Sequence, residues 1–211
     1  MDQMPDLTGQ VMLVTGGNAG LGKETVKALL EHNAKVYMGA RDEQKARAAI
    51  EELKEKTGKE AVFLELNLAN LASVKKSAED FLSKEKQLHV LFNNAGVTCM
   101  PIEWVTDDGY DLTFGTNVVG TVQTDVMKYA TEKDKKFTAL LYTFWPVERG
   151  VLTSLWAGTM PEPIKHNGEF AVPWARICDP CRPEAYDDEI GNRLWDWLEE
   201  EVEPYLKEIY A

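Results

Sequence analysis

The chain has 211 residues, 44% of them hydrophobic, a formal charge of -12 and three cysteines. That length suits one well-buried domain and would cramp two. So acidic a chain, with no Lys/Arg stripe, excludes a nucleic-acid surface, because it would repel the phosphates. Three cysteines fit a reducing compartment better than a disulfide scaffold. Met1 to Gln10 carries acids and lacks the apolar core of a signal or anchor. The longest apolar stretch, Phe137 to Gly158, is broken by Pro146, Glu148 and Arg149, which argues against a membrane span. A soluble, cytoplasmic protein is expected.

In chain order, Val11-Met12-Leu13-Val14 reads as a short strand running into the loop Thr15-Gly16-Gly17-Asn18-Ala19-Gly20-Leu21-Gly22. Lys23 to His32 reads as a helix with Val26, Leu29 and Leu30 inward, Lys35 to Ala40 as a second strand, and Asp42 to Lys56 as a helix stopped by Thr57-Gly58. Ala61 to Leu66 is a third strand. A helix from Asn70 to Lys84 follows, with Leu71, Val74, Phe81 and Leu82 on its buried side, and Leu88 to Phe92 is a fourth strand. Thr106-Asp107-Asp108 can cap another helix reaching Gly120. The alternation predicts an α/β fold: a Rossmann-type parallel sheet with helices on both faces.

Beyond Gly120 the alternation stops. Thr121 to Lys136 is polar, Phe137 to Met160 is apolar with helical content, and Glu169 to Trp174 is a short strand. Asp187 to Tyr210 carries a helical stripe of Ile190, Leu194, Leu198, Val202, Leu206 and Ile209, with a kink expected at Pro204. The expected organisation is a single domain over 1–211, with a dinucleotide-binding half over 1–120.

The glycine loop carries the chemistry. Between a strand and a helix at the amino end, glycine lets the backbone turn tightly and approach a pyrophosphate, and the following helix points free amides at the anion. Candidate cradle residues are Gly16, Asn18, Gly20, Leu21 and Gly22. At the end of the second strand, Gly39-Ala40-Arg41 with Lys45 a turn later leaves room and positive charge for a ribose phosphate. NADP is therefore favoured over NAD, the bland alternative being that Arg41 and Lys45 are solvated charges opening a helix.

Thr15-Gly16-x-x-x-Gly20-x-Gly22, Asn67-Leu68, Asn93-Asn94-Ala95-Gly96-Val97 and Asp108-Gly109-Tyr110 leading to Phe114-Gly115-Thr116-Asn117 together resemble the short-chain dehydrogenase/reductase family. The branch they resemble is that of retinol dehydrogenases and WW-domain oxidoreductases, and the match runs from about Leu7 to Gly120. The resemblance implies that Asn94, Ala95 and Gly96 line the adenosine ribose. It also implies that Asn67, where the family usually has Asp, contacts adenine beside Leu68 through its remaining acceptor oxygen. Asn117 matches a member of the family's proton relay. The segment from Thr121 to Asp125 is similar to the family's stretch near the nicotinamide amide, which makes Thr124 a further cofactor contact.

The catalytic Ser and Tyr-x-x-x-Lys of such enzymes are not recognisable. The fifth strand, the catalytic helix and the sixth strand are read as deleted, leaving a sheet short of two strands. Tyr129-Ala130-Thr131-Glu132-Lys133 has the right spacing, but no apolar strand with a Ser precedes it, and it is read as a chance match. Leu155-Trp156-Ala157-Gly158-Thr159, Gly168 to Trp174, Arg182-Pro183-Glu184-Ala185 and Leu194 to Glu200 again resemble the family's carboxy-terminal part. Phe137, Leu140, Leu141, Phe144 and Trp145 either cover a lipophilic substrate or are ordinary core. Cys178-Asp179-Pro180-Cys181 lacks enough further ligands for zinc, only Cys99, His32, His89 and His166 being left, so no metal is expected.

Two functions stay open. One is an NADP(H)-dependent oxidoreductase of a lipophilic alcohol or carbonyl, impaired or inactive in this form. The other is a non-catalytic NADP-binding or interaction protein, or a non-functional truncated gene product. A deletion inside the sheet further predicts that the strand around Phe170 docks beside the fourth strand, or that the fourth strand is left as an edge.

Overall fold

The computed structural model describes residues 3–98, 100–118, 146–178 and 187–206. Four strands form one parallel sheet in the order β3-β2-β1-β4: β1 (Val11–Thr15), β2 (Lys35–Ala40), β3 (Val62–Glu65) and β4 (Val90–Phe92). In register, Leu13 of β1 sits between Tyr37 of β2 and Leu91 of β4. The side chains of β1 and β2 are buried almost throughout, as parallel strands covered on both faces must be.

Alternation along the strands sends the two sets of side chains to two cores. Met12, Val14, Val36 and Met38 join Val26, Leu29 and Leu30 of α1 (Gly20–Glu31) and Ile50 and Leu53 of α2 (Glu43–Thr57). Val11, Leu13 and Tyr37 join Leu64 and Phe81 on the other face, where α3 (Leu71–Lys84) lies. The Tyr37 and Phe81 rings meet edge to face with centroids 4.9 Å apart. The α/β sheet with helices on both faces is therefore as the alternation predicts. Leu82 is a correction: it is 56% exposed, because the buried stripe of α3 runs through Ser77 and Phe81.

Local chemistry ends the helices. The Asp42 carboxylate accepts the Lys45 amide at 3.0 Å to open α2, and Gly58, at φ +72°, closes it in the left-handed region. Asn70 accepts the Ser73 amide at 2.7 Å to open α3. The expected cap at Thr106-Asp107-Asp108 is not where the next helix begins. Residues 106–110 form a turn, an isolated bridge joins Val105 to Asp111, and Asp111 accepts the Phe114 amide at 2.7 Å to open α4 (Leu112–Val118).

From Pro146 onward come α5 (Val147–Gly150), α6 (Leu152–Thr159), a short 3-10 turn at Glu162–His166, and a hairpin of β5 (Ala171–Val172) with β6 (Arg176–Ile177). The strand predicted around Phe170 is thus the arm of a local hairpin. It does not dock beside β4, and Phe170 itself is 47% exposed. Among the described residues β4 is the edge of the sheet, and α6 lies against it with Gly158 over the Phe92 and Val90 side chains. Val151 and Leu155 are buried in the α1-side core.

The final helix, α7 (Asp188–Leu206), contains Pro204. Its stripe is covered only from Trp197 onward, where it meets α3 and α4, whereas Ile190 and Leu194 are 50% and 44% exposed. No helix among the described residues is long and apolar enough to cross a membrane.

Candidate cofactor cleft

The carboxyl ends of β1, β2 and β4 open into a cleft, as parallel sheets of this kind do where the strand order reverses. Its walls are Gly16, Asn18 and Ala19 from the β1 loop, Gly39 to Asp42 and Lys45 after β2, Leu66 to Ala69 after β3, Asn94 to Thr98 after β4, and Thr116 of α4.

Thr15, 3% exposed, ties the first and last of these loops together. Its hydroxyl accepts the amides of Asn94 and Ala95 at 3.0 and 2.9 Å and donates to the Phe92 carbonyl at 3.4 Å. Asn94 Nδ2 returns a bond to the Thr15 carbonyl at 2.8 Å. Gly16 stands at φ +65°, and a side chain there would press on Ala95 at 3.1 Å. Gly22 is needed for contact instead: a Cβ on it would overlap the Gly16 carbonyl and Asn94 Nδ2. The cradle is open because glycine keeps it open.

The amino end of α1 has no side-chain cap, unlike α2 and α3. Its first-turn amides are the orphan donors that an anion satisfies. The hydroxyl of Thr116, which also lines the cleft, is buried without a hydrogen-bond partner among the described residues. An uncapped helix start at the cleft, with an orphaned hydroxyl on a residue of its wall, suits an oxygen-rich ligand, so the residues present fit a dinucleotide.

At the end of β2, Ala40 is buried and Arg41 is exposed with no ion-pair partner among the described residues. Lys45 pairs with Asp42 at 2.8 Å, and this ammonium holds the Asp42 carboxyl below its usual range. The Asp42 charge in the wall is thereby countered by its neighbour.

Of the residues expected from the sequence, Gly16, Asn18, Arg41, Lys45, Asn67, Leu68, Asn94, Ala95 and Gly96 are brought together around the cleft. Gly20, Leu21 and Gly22 are not in its walls: Gly22 packs under the loop, and Leu21 points to a cavity against α6. The Asn67 acceptor oxygen takes the Ala69 amide at 3.1 Å, leaving a second lone pair and the Nδ2 donor for a ligand. Asn117 grips the Val97 backbone from α4, accepting its amide at 2.7 Å and donating to its carbonyl at 2.6 Å. Thr124, Tyr129 and Lys133 lie outside the described residues, as does Cys181, while Cys178 is exposed and unpaired. Thr15, Gly39 and Thr116 are quoted in the sequence motifs without being counted as site residues, yet Gly39 and Thr116 line the cleft and Thr15 ties its loops together. The first and last stand inside recognised motifs, and a small residue at the end of β2 was the available sign for Gly39.

The family model described as short chain dehydrogenase matches residues 10–135. A short-chain dehydrogenase/reductase of Armillaria gallica is 40% identical, the match covering 97% of this chain and 94% of that one. Retinol dehydrogenase 11 of Mus musculus is 44% identical over 115 residues, which are 54% of this chain and 36% of that one. An uncharacterized protein from Mycobacterium Paratuberculosis shares the fold, with a TM-score of 0.68 at 20% identity and 94% of this chain covered. The chain belongs to the short-chain dehydrogenase/reductase family, whose members are oxidoreductases built on a nicotinamide-binding Rossmann fold.

Proposed function

We propose that this protein binds NADP(H) in the cleft above β1, β2 and β4, and that in this form it is an impaired or inactive oxidoreductase of lipophilic alcohols or carbonyls. The observation that carries the cofactor choice is the pair of buried Ala40 and exposed Arg41 at the end of β2, with Lys45 one turn on. A guanidinium there meets a ribose 2′-phosphate with charge-assisted hydrogen bonds, and the small residue leaves it space. The amides opening α1 hold the pyrophosphate, and Asn67, Asn94 and Ala95 hold the adenosine end. The nicotinamide, when bound, supplies or accepts hydride.

The impairment is read from the missing Ser and Tyr-x-x-x-Lys. A positioned acid-base group contributes about 10²- to 10⁴-fold in rate. Among the described residues the cleft walls hold neither Ser nor Tyr, and their one Lys, Lys45, is at the ribose end. The alignment with the Armillaria relative supports a deletion, since it runs over 291 positions whereas this chain has 211 residues. The cytoplasm is the proposed setting, and a lipophilic small molecule the proposed substrate.

The test is NADPH binding and turnover on one purified sample, with a panel of lipophilic alcohols and aldehydes. NADPH binding tighter than NADH, with turnover absent or very slow, is expected. Tighter NADH binding overturns the cofactor choice. Brisk turnover that Tyr129→Phe abolishes overturns the deletion.

A further inference from the structure

The wall that would face adenine has a second side. Leu68 lines the cleft and also the apolar seam beneath α7, where Trp197, Leu198 and Val202 meet Leu71 and Phe114. Two consecutive acids stitch this wall to its surroundings. Asp107 donates its amide to the Ala69 carbonyl at 2.9 Å and accepts from Asn70 Nδ2 at 2.8 Å. Asp108 faces both ways: one carboxylate oxygen accepts the Leu71 amide at 2.9 Å, and the other accepts the Tyr205 hydroxyl at 3.3 Å. Beside it the Tyr110 hydroxyl donates to Glu201, and the Tyr110 and Trp197 rings lie edge to face with centroids 6.0 Å apart. A single carboxylate thus bridges the loop that walls the cleft and the carboxy-terminal helix.

We infer that Asp108 is a positioning residue that couples the docking of α7 to ligand binding at the adenosine end of the cleft. The inference rests on the proposed cofactor site and adds a dependence that the site alone does not have. With α7 seated, Tyr205 orients the Asp108 carboxylate, the carboxylate holds the first amide of α3, and the 67–70 loop keeps the shape that adenine meets. When α7 lifts, Leu68 loses its apolar backing and Asp108 loses one of its two partners. Linkage makes the effect reciprocal: a ligand that needs the ordered loop must favour the docked helix by the same factor.

Hydrogen exchange of the full chain, with and without saturating adenosine 2′,5′-bisphosphate or NADPH, reads both ends at once. Slower exchange is expected at 16–22 and 67–70, and also by about fivefold or more in the 197–205 stretch of α7. In Asp108→Ala the α7 response disappears, and the dissociation constant for adenosine 2′,5′-bisphosphate rises by a similar factor. A merely structural role would lower the melting temperature while leaving the α7 response intact. Tyr205→Phe removes only the α7 end of the bridge and gives the same loss of response where Asp108→Ala does not fold. Slowing at the cleft with no change in α7 overturns the coupling and leaves the binding site standing. No slowing at either place overturns the binding site, and the coupling with it.

Discussion

Asn117 brackets Val97, with its amide oxygen 2.7 Å from the Val97 nitrogen and its amide nitrogen 2.6 Å from the Val97 carbonyl. A side chain on α4 thus fixes the backbone just beyond the Asn-Asn-Ala-Gly loop, because an amide offers one donor and one acceptor at the spacing of a peptide unit. Asn117→Ala leaves both peptide groups without that partner and is expected to cost about 1–3 kcal/mol, read by urea unfolding. Asn117→Asp keeps the acceptor but sets a carboxylate against the Val97 carbonyl, so it is expected to be no milder than the alanine.

On the proposed reading, Arg41 carries the choice of cofactor. Arg41→Ala is expected to weaken NADPH binding by about tenfold or more, the value of one hydrogen bond between charged groups, while leaving NADH nearly unchanged. The preference should also shrink with added salt, since Arg41 is exposed. Fluorescence titration of both cofactors at two ionic strengths measures this, and equal losses for the two would remove the 2′-phosphate from the explanation.

Gly22 is held by contact with the loop before it. The methyl of Gly22→Ala would meet the Gly16 carbonyl and Asn94 Nδ2, so overpacking of about 1–3 kcal/mol is expected. NADPH affinity should fall with it, because the displaced atoms belong to the cradle. A variant as stable as the parent, binding equally well, would contradict this packing.

Among the described residues α3 covers the second face of the sheet, and Phe81 is its largest buried anchor there, 5% exposed against Tyr37. Phe81→Ala is expected to cost about 3–5 kcal/mol. That is a large share of the 5–15 kcal/mol typical of a domain. Equilibrium denaturation with tyrosine and tryptophan fluorescence measures it, and a loss below about 1 kcal/mol would mean that α3 contributes little to the core.

Glu52 of α2 is paired with Lys23 of α1 and with Lys56, the latter at 2.7 Å. The Lys23 ammonium, and then Lys56, hold its carboxyl down at about 2 against an ordinary value of 4.5. Because the folded state depresses this value, the stabilisation is present in full above pH 4.5 and is lost as the pH falls toward 2. The melting-temperature gap between the parent and Glu52→Gln should therefore be constant above pH 5 and close on acidification; a gap that widens in acid would reverse the sign.

The sequence alone was enough for the succession of strands and helices through the first half and for the buried sides of β1, β2 and α1, because each rests on short-range rules. Continuous apolar runs mark strands buried on both sides, a 3.6-residue stripe marks α1 and α3, and a glycine loop between strand and helix marks an anion site. It was silent where identical chemistry competes over distance. Asp107, Asp108 and Asp111 are equally good caps on paper. Asp111 opens α4, while Asp108 serves α3, 37 residues away in the chain. The strand near Phe170 had apolar residues for β4, yet it pairs with its own neighbour after a tight turn. Thr15 and Asn94 meet across 79 residues. Which donor finds which acceptor at such separations is decided by the packing of the sheet that brings the loop ends together, and no local pattern encodes it.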